Sequence, residues 1–165
     1  MAVTYYGKRL LLLLVWWCVI LSAAGYLKTQ PMASRKIEDC IKTLQVAWVK
    51  AEALYKQRHP TAPKVFLTCT HRSEEEQLEL YAIGRTKPGR IVTNLKKGSN
   101  HNCYPSRAFD VAFRKNPTTL VWDAVHFTAF AKCVAEVAPM VKWGGNWKKF
   151  KDLPHFEFTG EEEVG

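Results

Sequence analysis

The sequence predicts an α+β fold, a small antiparallel sheet with helices packed on one face and end. Three features predict it. From Ala108 to Phe113, Ala108, Asp110 and Ala112 alternate with Phe109, Val111 and Phe113, the period of a strand. Apolar residues at three- and four-residue steps run from Ile37 to Tyr55 and again from Val121 to Val137, the stripes of two amphipathic helices. A short aromatic stretch, His155 to Phe158, alternates once more near the end of the chain.

A chain of 165 residues that is 47% hydrophobic suits one domain with a short appendage. The expected boundaries are an N-terminal export segment at 1–27, a polar linker at 28–35, the folded domain at 36–158 and an acidic tail at 159–165. A net charge of +9 favours an anionic partner such as a cell wall or membrane surface. The basic residues are scattered and form no nucleic-acid motif, so nucleic acid is not an expected partner, and a monomer is expected. The five cysteines, Cys18, Cys40, Cys69, Cys103 and Cys133, make neither a CxxC pair nor zinc-finger spacing.

Residues 10–27 carry no charge and follow Lys8 and Arg9, the layout of an export signal. A membrane-spanning anchor with a cytoplasmic N-terminus and a secretory signal cleaved after Ser22-Ala-Ala24 both remain open. Either one exports the rest of the chain. The first helix ends before Pro60 and Pro63. Val65 to Cys69 is rich in β-formers and reads as a strand. Ser73 and Glu76 form a capping box for a helix over 74–83, which Gly84 stops. Thr86 to Arg90 is a Pro-Gly turn, Ile91 to Thr93 a short strand, and Asn94 to Asn100 a basic loop that delivers His101. The second long helix spans Leu120 to Val137 and stops at Pro139, with His126 and Cys133 as packing residues. Val141 to Trp143 is a strand entering the Gly144-Gly145 turn.

The chemistry centres on Asp110. A carboxylate in the middle of a strand is expensive to bury unless it is paired or bound to a cation. His101 lies nine residues before it and His155 opens the aromatic strand. Two histidines and one carboxylate from separate segments are a ligand set for a catalytic zinc. Asp152, three residues before His155, is then left as the base. Ser99 is an orienting group for His101. Glu157 shares a strand face with His155, as a partner or a reserve base. Trp143 and Trp147 either line the substrate cleft or pack beside their glycines.

The spacing Ser-x-His then Ser-Arg-Ala-x-Asp, with a later Trp-Gly-Gly-x-Trp and Asp-x-Pro-His, resembles the zinc peptidases that include D-Ala-D-Ala carboxypeptidases and phage L-alanyl-D-glutamate endolysins. It covers residues 35–158, and the endolysin branch is the nearer likeness. The resemblance implies a Hedgehog/DD-peptidase-like fold, a Zn2+ cofactor and peptidoglycan stem peptides as substrate. It also implies that Arg72, just before the capped helix, faces the active site and steadies the substrate's carbonyl or carboxylate. Gln77 matches another recurring position, with a structural or a binding role. Three departures stand out: the segment from His101 to Asp110 is two residues longer than the short form, Ser106 stands where glycine is frequent, and Asn146 replaces a frequent aspartate.

The implied function is hydrolysis of the L-Ala–D-Glu bond by an endolysin exported to the periplasm or held at the host inner membrane. A D,D-carboxypeptidase and a noncatalytic wall-binding module of the same fold are the alternatives.

Overall fold

The alternation around Asp110 is realised as the strand on which the sheet is built. The structure, a computed structural model, describes residues 33–161. The expected export segment and the last four residues lie outside that range. In chain order the elements are α1 (Lys42–Arg58), β1 (Lys64–Cys69), α2 (Glu74–Ala82), β2 (Ala108–Asn116), β3 (Thr119–Val121), α3 (Ala124–Val137), β4 (Lys142–Trp143) and β5 (His155–Glu157). The sheet order is β1-β2-β5-β4, with β3 paired to the far end of β2, and every pairing is antiparallel.

The core lies where α1 and α3 meet one face of this sheet. Leu44, Ala47, Trp48, Ala51 and Tyr55 of α1 and Phe127, Phe130 and Val134 of α3 are buried against Phe109, Val111, Phe113 and Phe156. The aromatic rings interlock: Trp48 meets Phe109 edge to face and Phe130 at a tilt, both at 5.8 Å, and Phe113 meets Phe127 edge to face at 4.9 Å. His126 packs on Phe113 and reaches the Tyr55 hydroxyl at 3.5 Å, a place in the core and away from any site. Arg58 and Glu136 join the two helices at the surface through a bidentate pair. The phenylalanine face of β2 is thereby spent on packing, and Asp110 points the other way.

Three elements differ from the sequence expectation. The stripe from Ile37 divides: Ile37–Asp39 is a 3-10 turn, and Cys40 and Ile41 instead pair with the segment before β2. The Ile41 N–H donates to Ser106 O at 2.9 Å and the Ser106 N–H to Asp39 O at 2.7 Å, so the helix starts only at Lys42. The apolar positions Leu120 and Val121 belong to a hairpin strand, since Leu120 pairs with Arg114; α3 begins after Asp123, whose carboxylate caps the Val125 N–H. Ile91 to Thr93 forms no strand but an irregular loop. The capping box of α2 forms as expected, with Ser73 Oγ accepting from the Glu76 N–H and Glu76 from the Ser73 N–H. Gly84 follows at φ +75°, a conformation open to glycine at little cost.

Candidate metal centre

Strand register builds the centre. Asp110 stands opposite His155 on β5 and opposite Cys69 on β1, so the three side chains form one row across the sheet. His101 reaches this row from a separate 3-10 turn, Asn100–Asn102. That turn is zipped to the exit of β1. The His101 Nδ1–H donates to Thr70 O at 2.6 Å, the Arg72 N–H to His101 O at 2.9 Å, and Asn102 Nδ2 to Arg72 O at 2.9 Å. Ser99 caps the turn, accepting from the His101 N–H at 3.3 Å, so it orients His101 through the backbone.

These contacts fix both histidine tautomers. A carbonyl only accepts, so Thr70 O requires the proton of His101 on Nδ1 and leaves Nε2 as a lone pair. His155 Nε2 faces the Glu157 carboxylate at 3.4 Å, which leaves its Nδ1 as the lone pair. Glu157 is itself held by Asn100 Nδ2 at 2.7 Å. The two free nitrogens converge on Asp110 Oδ1: His101 Nε2 at 3.2 Å, His155 Nδ1 at 3.0 Å, and 3.3 Å from each other. With both imidazoles neutral, three acceptor atoms at these separations repel unless a cation lies among them; without one, charged imidazoles donate to Asp110 instead. Two donors on a tetrahedral zinc, each about 2.0–2.1 Å from the metal, are about 3.3 Å apart. The donor set therefore fits a zinc ion, with both imidazoles braced from behind as metal-bound histidines are.

The ionisation equilibria answer to the same crowding. Burial alone opposes the charge of Asp110, yet His101 and His155 hold it well below the usual carboxylate range. Burial likewise opposes a charged His101, and the Asp110 carboxylate overcomes it to shift the pKa upward. His155 moves upward for the same reason, against burial and through Asp110 and Glu157. Its hydrogen bond in turn lowers the pKa of Glu157.

Cys69 offers a second grouping, since its thiol lies within ligand reach of His101 and Asp110. Its Sγ is 3.5 Å from His101 Nδ1, the nitrogen whose proton is already given to Thr70 O. The lone pair of His101 faces His155 instead. The His101, Asp110 and His155 set is thus the better centre, and Cys69 is a neighbour that also sits 3.3 Å from Arg72 Nη2. Cys40, Cys69, Cys103 and Cys133 are all free thiols, with only Cys103 exposed.

The centre opens into a cleft of about 650 Å³, whose lining includes Arg72, Leu95, Trp147, Phe150 and Asp152. Burial, with the Asp110 carboxylate nearby, raises the Asp152 pKa. Arg72 Nη2 is 3.8 Å from Asp110 Oδ2, Nη1 donates to Gln77 Oε1 at 3.0 Å, and Nε has no partner among the described residues. Gln77 is buried, 1% exposed, and touches no open space; its Nε2 donates to Leu95 O at 2.7 Å and reaches Thr93 Oγ1 at 3.3 Å. It ties Arg72 to the cleft loop. Trp147 lines the cleft with its ring 5.1 Å from that of His155. Trp143 lies behind the site, stacked on Phe156, with its Nε1–H donated to Leu153 O at 2.8 Å. Gly144 allows the close approach that positions Asp152 and His155. A Cβ there would lie 2.6 Å from Asp152 O and 3.1 Å from the Cβ atoms of both residues.

Two contributors lie outside the sequence expectation. Asn100 holds Glu157, and an asparagine beside His101 was the available signal. Ser106 is fully buried, and its hydroxyl is 2.9 Å from both Thr70 O and Ala108 O. It links the acceptor of His101 to the start of the strand that carries Asp110. Ser106→Ala is expected to weaken zinc binding by about tenfold or more, read by competition with a chromophoric chelator.

Residues 93–158, which hold all three donors, match the family described as D-alanyl-D-alanine carboxypeptidase. The chain is 40% identical over 100 residues to the peptidoglycan L-alanyl-D-glutamate endopeptidase CwlK of Bacillus subtilis (strain 168). That alignment covers 56% of this chain and 59% of the relative, so the match spans little more than half of either protein. The crystal structure of the Serratia marcescens L-Ala D-Glu endopeptidase ChiX matches with a TM-score of 0.51, covering 81% of this chain and 94% of that one. At 19% identity this second likeness speaks for the fold alone. Residues 93–158 are thus similar to the family described as D-alanyl-D-alanine carboxypeptidase, on a fold that resembles that of an L-Ala D-Glu endopeptidase.

Proposed function

We propose that the protein is a zinc-dependent peptidoglycan endopeptidase that hydrolyses the L-Ala–D-Glu bond of stem peptides. The observation that carries this reading is the triangle of His101 Nε2, Asp110 Oδ1 and His155 Nδ1, with Asp152 and Arg72 lining the same cleft. Likeness to CwlK supports the choice of bond. The basic chain and the uncharged stretch at 10–27 support an exported wall enzyme. The motif likeness to phage enzymes supports an endolysin acting from the periplasm or the host inner membrane.

Zinc held by the two imidazoles and Asp110 supplies Lewis acidity toward a carbonyl oxygen and a water molecule. Asp152 takes a proton from the attacking water and returns it to the departing amine. A carboxylate suits the task when its pKa is raised, since it then holds the proton long enough to deliver it. Arg72, which lines the cleft, offers the guanidinium that neutralises charge growing on the carbonyl oxygen. Gln77 keeps that guanidinium in register with the cleft loop.

The base works only when deprotonated, and its pKa is shifted upward. Activity is therefore expected to fall on acidification at a pH above about 4, the ordinary aspartate value, and metal content is followed alongside because acid also protonates the two histidine ligands. A profile of kcat/KM against pH, with metal content measured at each point, checks this. The family description favours one rival, a D,D-carboxypeptidase. Product analysis on defined muropeptides separates the two: new glutamate amino ends support the endopeptidase, and free D-alanine with no such ends contradicts it.

A further inference from the structure

Two loops that line the cleft, 91–98 and 147–151, contain lysines and no carboxylate. Lys96 and Lys97 lie between the lining residues Leu95 and Gly98. Lys148, Lys149 and Lys151 flank the lining residues Trp147 and Phe150. All five are exposed, and no ion pair or hydrogen bond engages their side chains among the described residues. Two other cations near the first loop are committed, Lys87 to Glu79 and Arg85 to backbone carbonyls and the Tyr81 ring.

The floor beneath them is close to neutral once a divalent metal is counted. Asp110, Asp152 and Glu157 supply three negative charges, against Arg72 and the two charges of the ion. The field around the cleft is then set by the lysines that flank its lining residues, and a rim of one sign of charge concentrates ligands of the other sign. The rim also offers exposed apolar surface, Val92, Leu95 and Phe150 being 53%, 52% and 51% exposed. Lysine beside exposed hydrophobic side chains suits an extended peptide with acidic groups better than a neutral glycan.

We propose that Lys96, Lys97, Lys148, Lys149 and Lys151 form a carboxylate-reading rim that selects peptides keeping a free carboxylate next to the cleaved bond. The inference rests on the peptidase reading above. Its chemistry follows from a glutamyl residue whose amine lies in the scissile bond. Of its two carboxyl groups at most one continues the chain, so at least one stays charged within a residue of the cut. Amidation of that group would remove the feature the rim reads without altering the bond that is broken.

The test compares two peptides identical but for a free or an amidated glutamyl carboxylate. The zinc-loaded wild type is set beside Lys96→Gln/Lys97→Gln and Lys148→Gln/Lys149→Gln/Lys151→Gln. The wild type is expected to favour the free carboxylate by about two- to fivefold in kcat/KM. That preference should reside in KM and shrink as salt is raised. At least one lysine variant should bring the ratio near one. Equal KM values for both peptides in the wild type at low salt would overturn the proposal, as would an undiminished ratio in both variants. If neither peptide is cleaved, the peptidase reading fails, and equilibrium binding of the two glutamate-leading product peptides still decides the rim. Salt-sensitive preference for the carboxylate form supports it, and equal binding overturns it.

Discussion

Replacing Asp110 by asparagine is expected to remove the metal and the activity together. The carboxylate is the only atom set touched by both histidine lone pairs, at 3.0 Å and 3.2 Å, and the only negative charge in the triangle. Loss of an outer partner of a metal ligand costs about 10–100-fold in affinity, and loss of a ligand with its charge should cost more. Zinc per chain, about one in the wild type, is expected to fall to a trace after dialysis. The packing side of β2 is untouched by this change, because Phe109 and Val111 face the helices. Circular dichroism should therefore stay close to that of the metal-stripped wild type, while the unfolding midpoint without metal falls, because the pairing that holds the Asp110 pKa down is lost. Full zinc retention in Asp110→Asn would place the metal elsewhere.

Asp152→Ala is expected to do the opposite, keeping zinc and losing turnover. Asp152 lines the cleft, and its carboxylate has no hydrogen-bond partner among the described residues; only its backbone O meets a donor residue, accepting from the His155 N–H at 3.3 Å. General-base catalysis contributes typically about 10²–10⁴-fold, so kcat should fall by that order with metal content unchanged. New amino ends released from peptidoglycan, counted beside zinc per chain, give both readouts. A variant that keeps near wild-type turnover would transfer the role of base to another group, with Glu157 the nearest carboxylate. Glu157, however, is already engaged by His155 and Asn100.

Much of this site was legible in the sequence because it depends on local periodicity. The alternation around Asp110 put its carboxylate on the face away from the phenylalanines. The aromatic strand did the same for His155 and Glu157, and the Ser73 and Glu76 capping box gave the entry to α2. What escaped reading depends on pairing between distant segments. Cys40 bridges to Ser106, across more than sixty residues, and that pairing cuts short a helix stripe that looked continuous from Ile37. Leu120 fits a helix by spacing and a hairpin by its partner Arg114, and the pairing wins. Asp123 was the available signal, a helix cap placed directly before Ala124. Trp143 and Trp147 look alike beside their glycines. Trp143 turns to the Phe156 side of the sheet and Trp147 to the cleft, a difference that only the fold of the 3-10 turn Gly144–Asn146 decides. The acceptor that fixes His101, Thr70 O, is a backbone atom and leaves no mark on residue identity.

The most direct test of the metal centre is X-ray absorption at the zinc edge on the zinc-loaded protein. The geometry predicts a first shell of nitrogen and oxygen at about 2.0–2.1 Å, with the outer-ring scattering of two imidazoles and no sulfur. A scatterer at about 2.3 Å, lost in Cys69→Ser, would put the thiol on the metal and contradict the assignment of His155 as the third ligand.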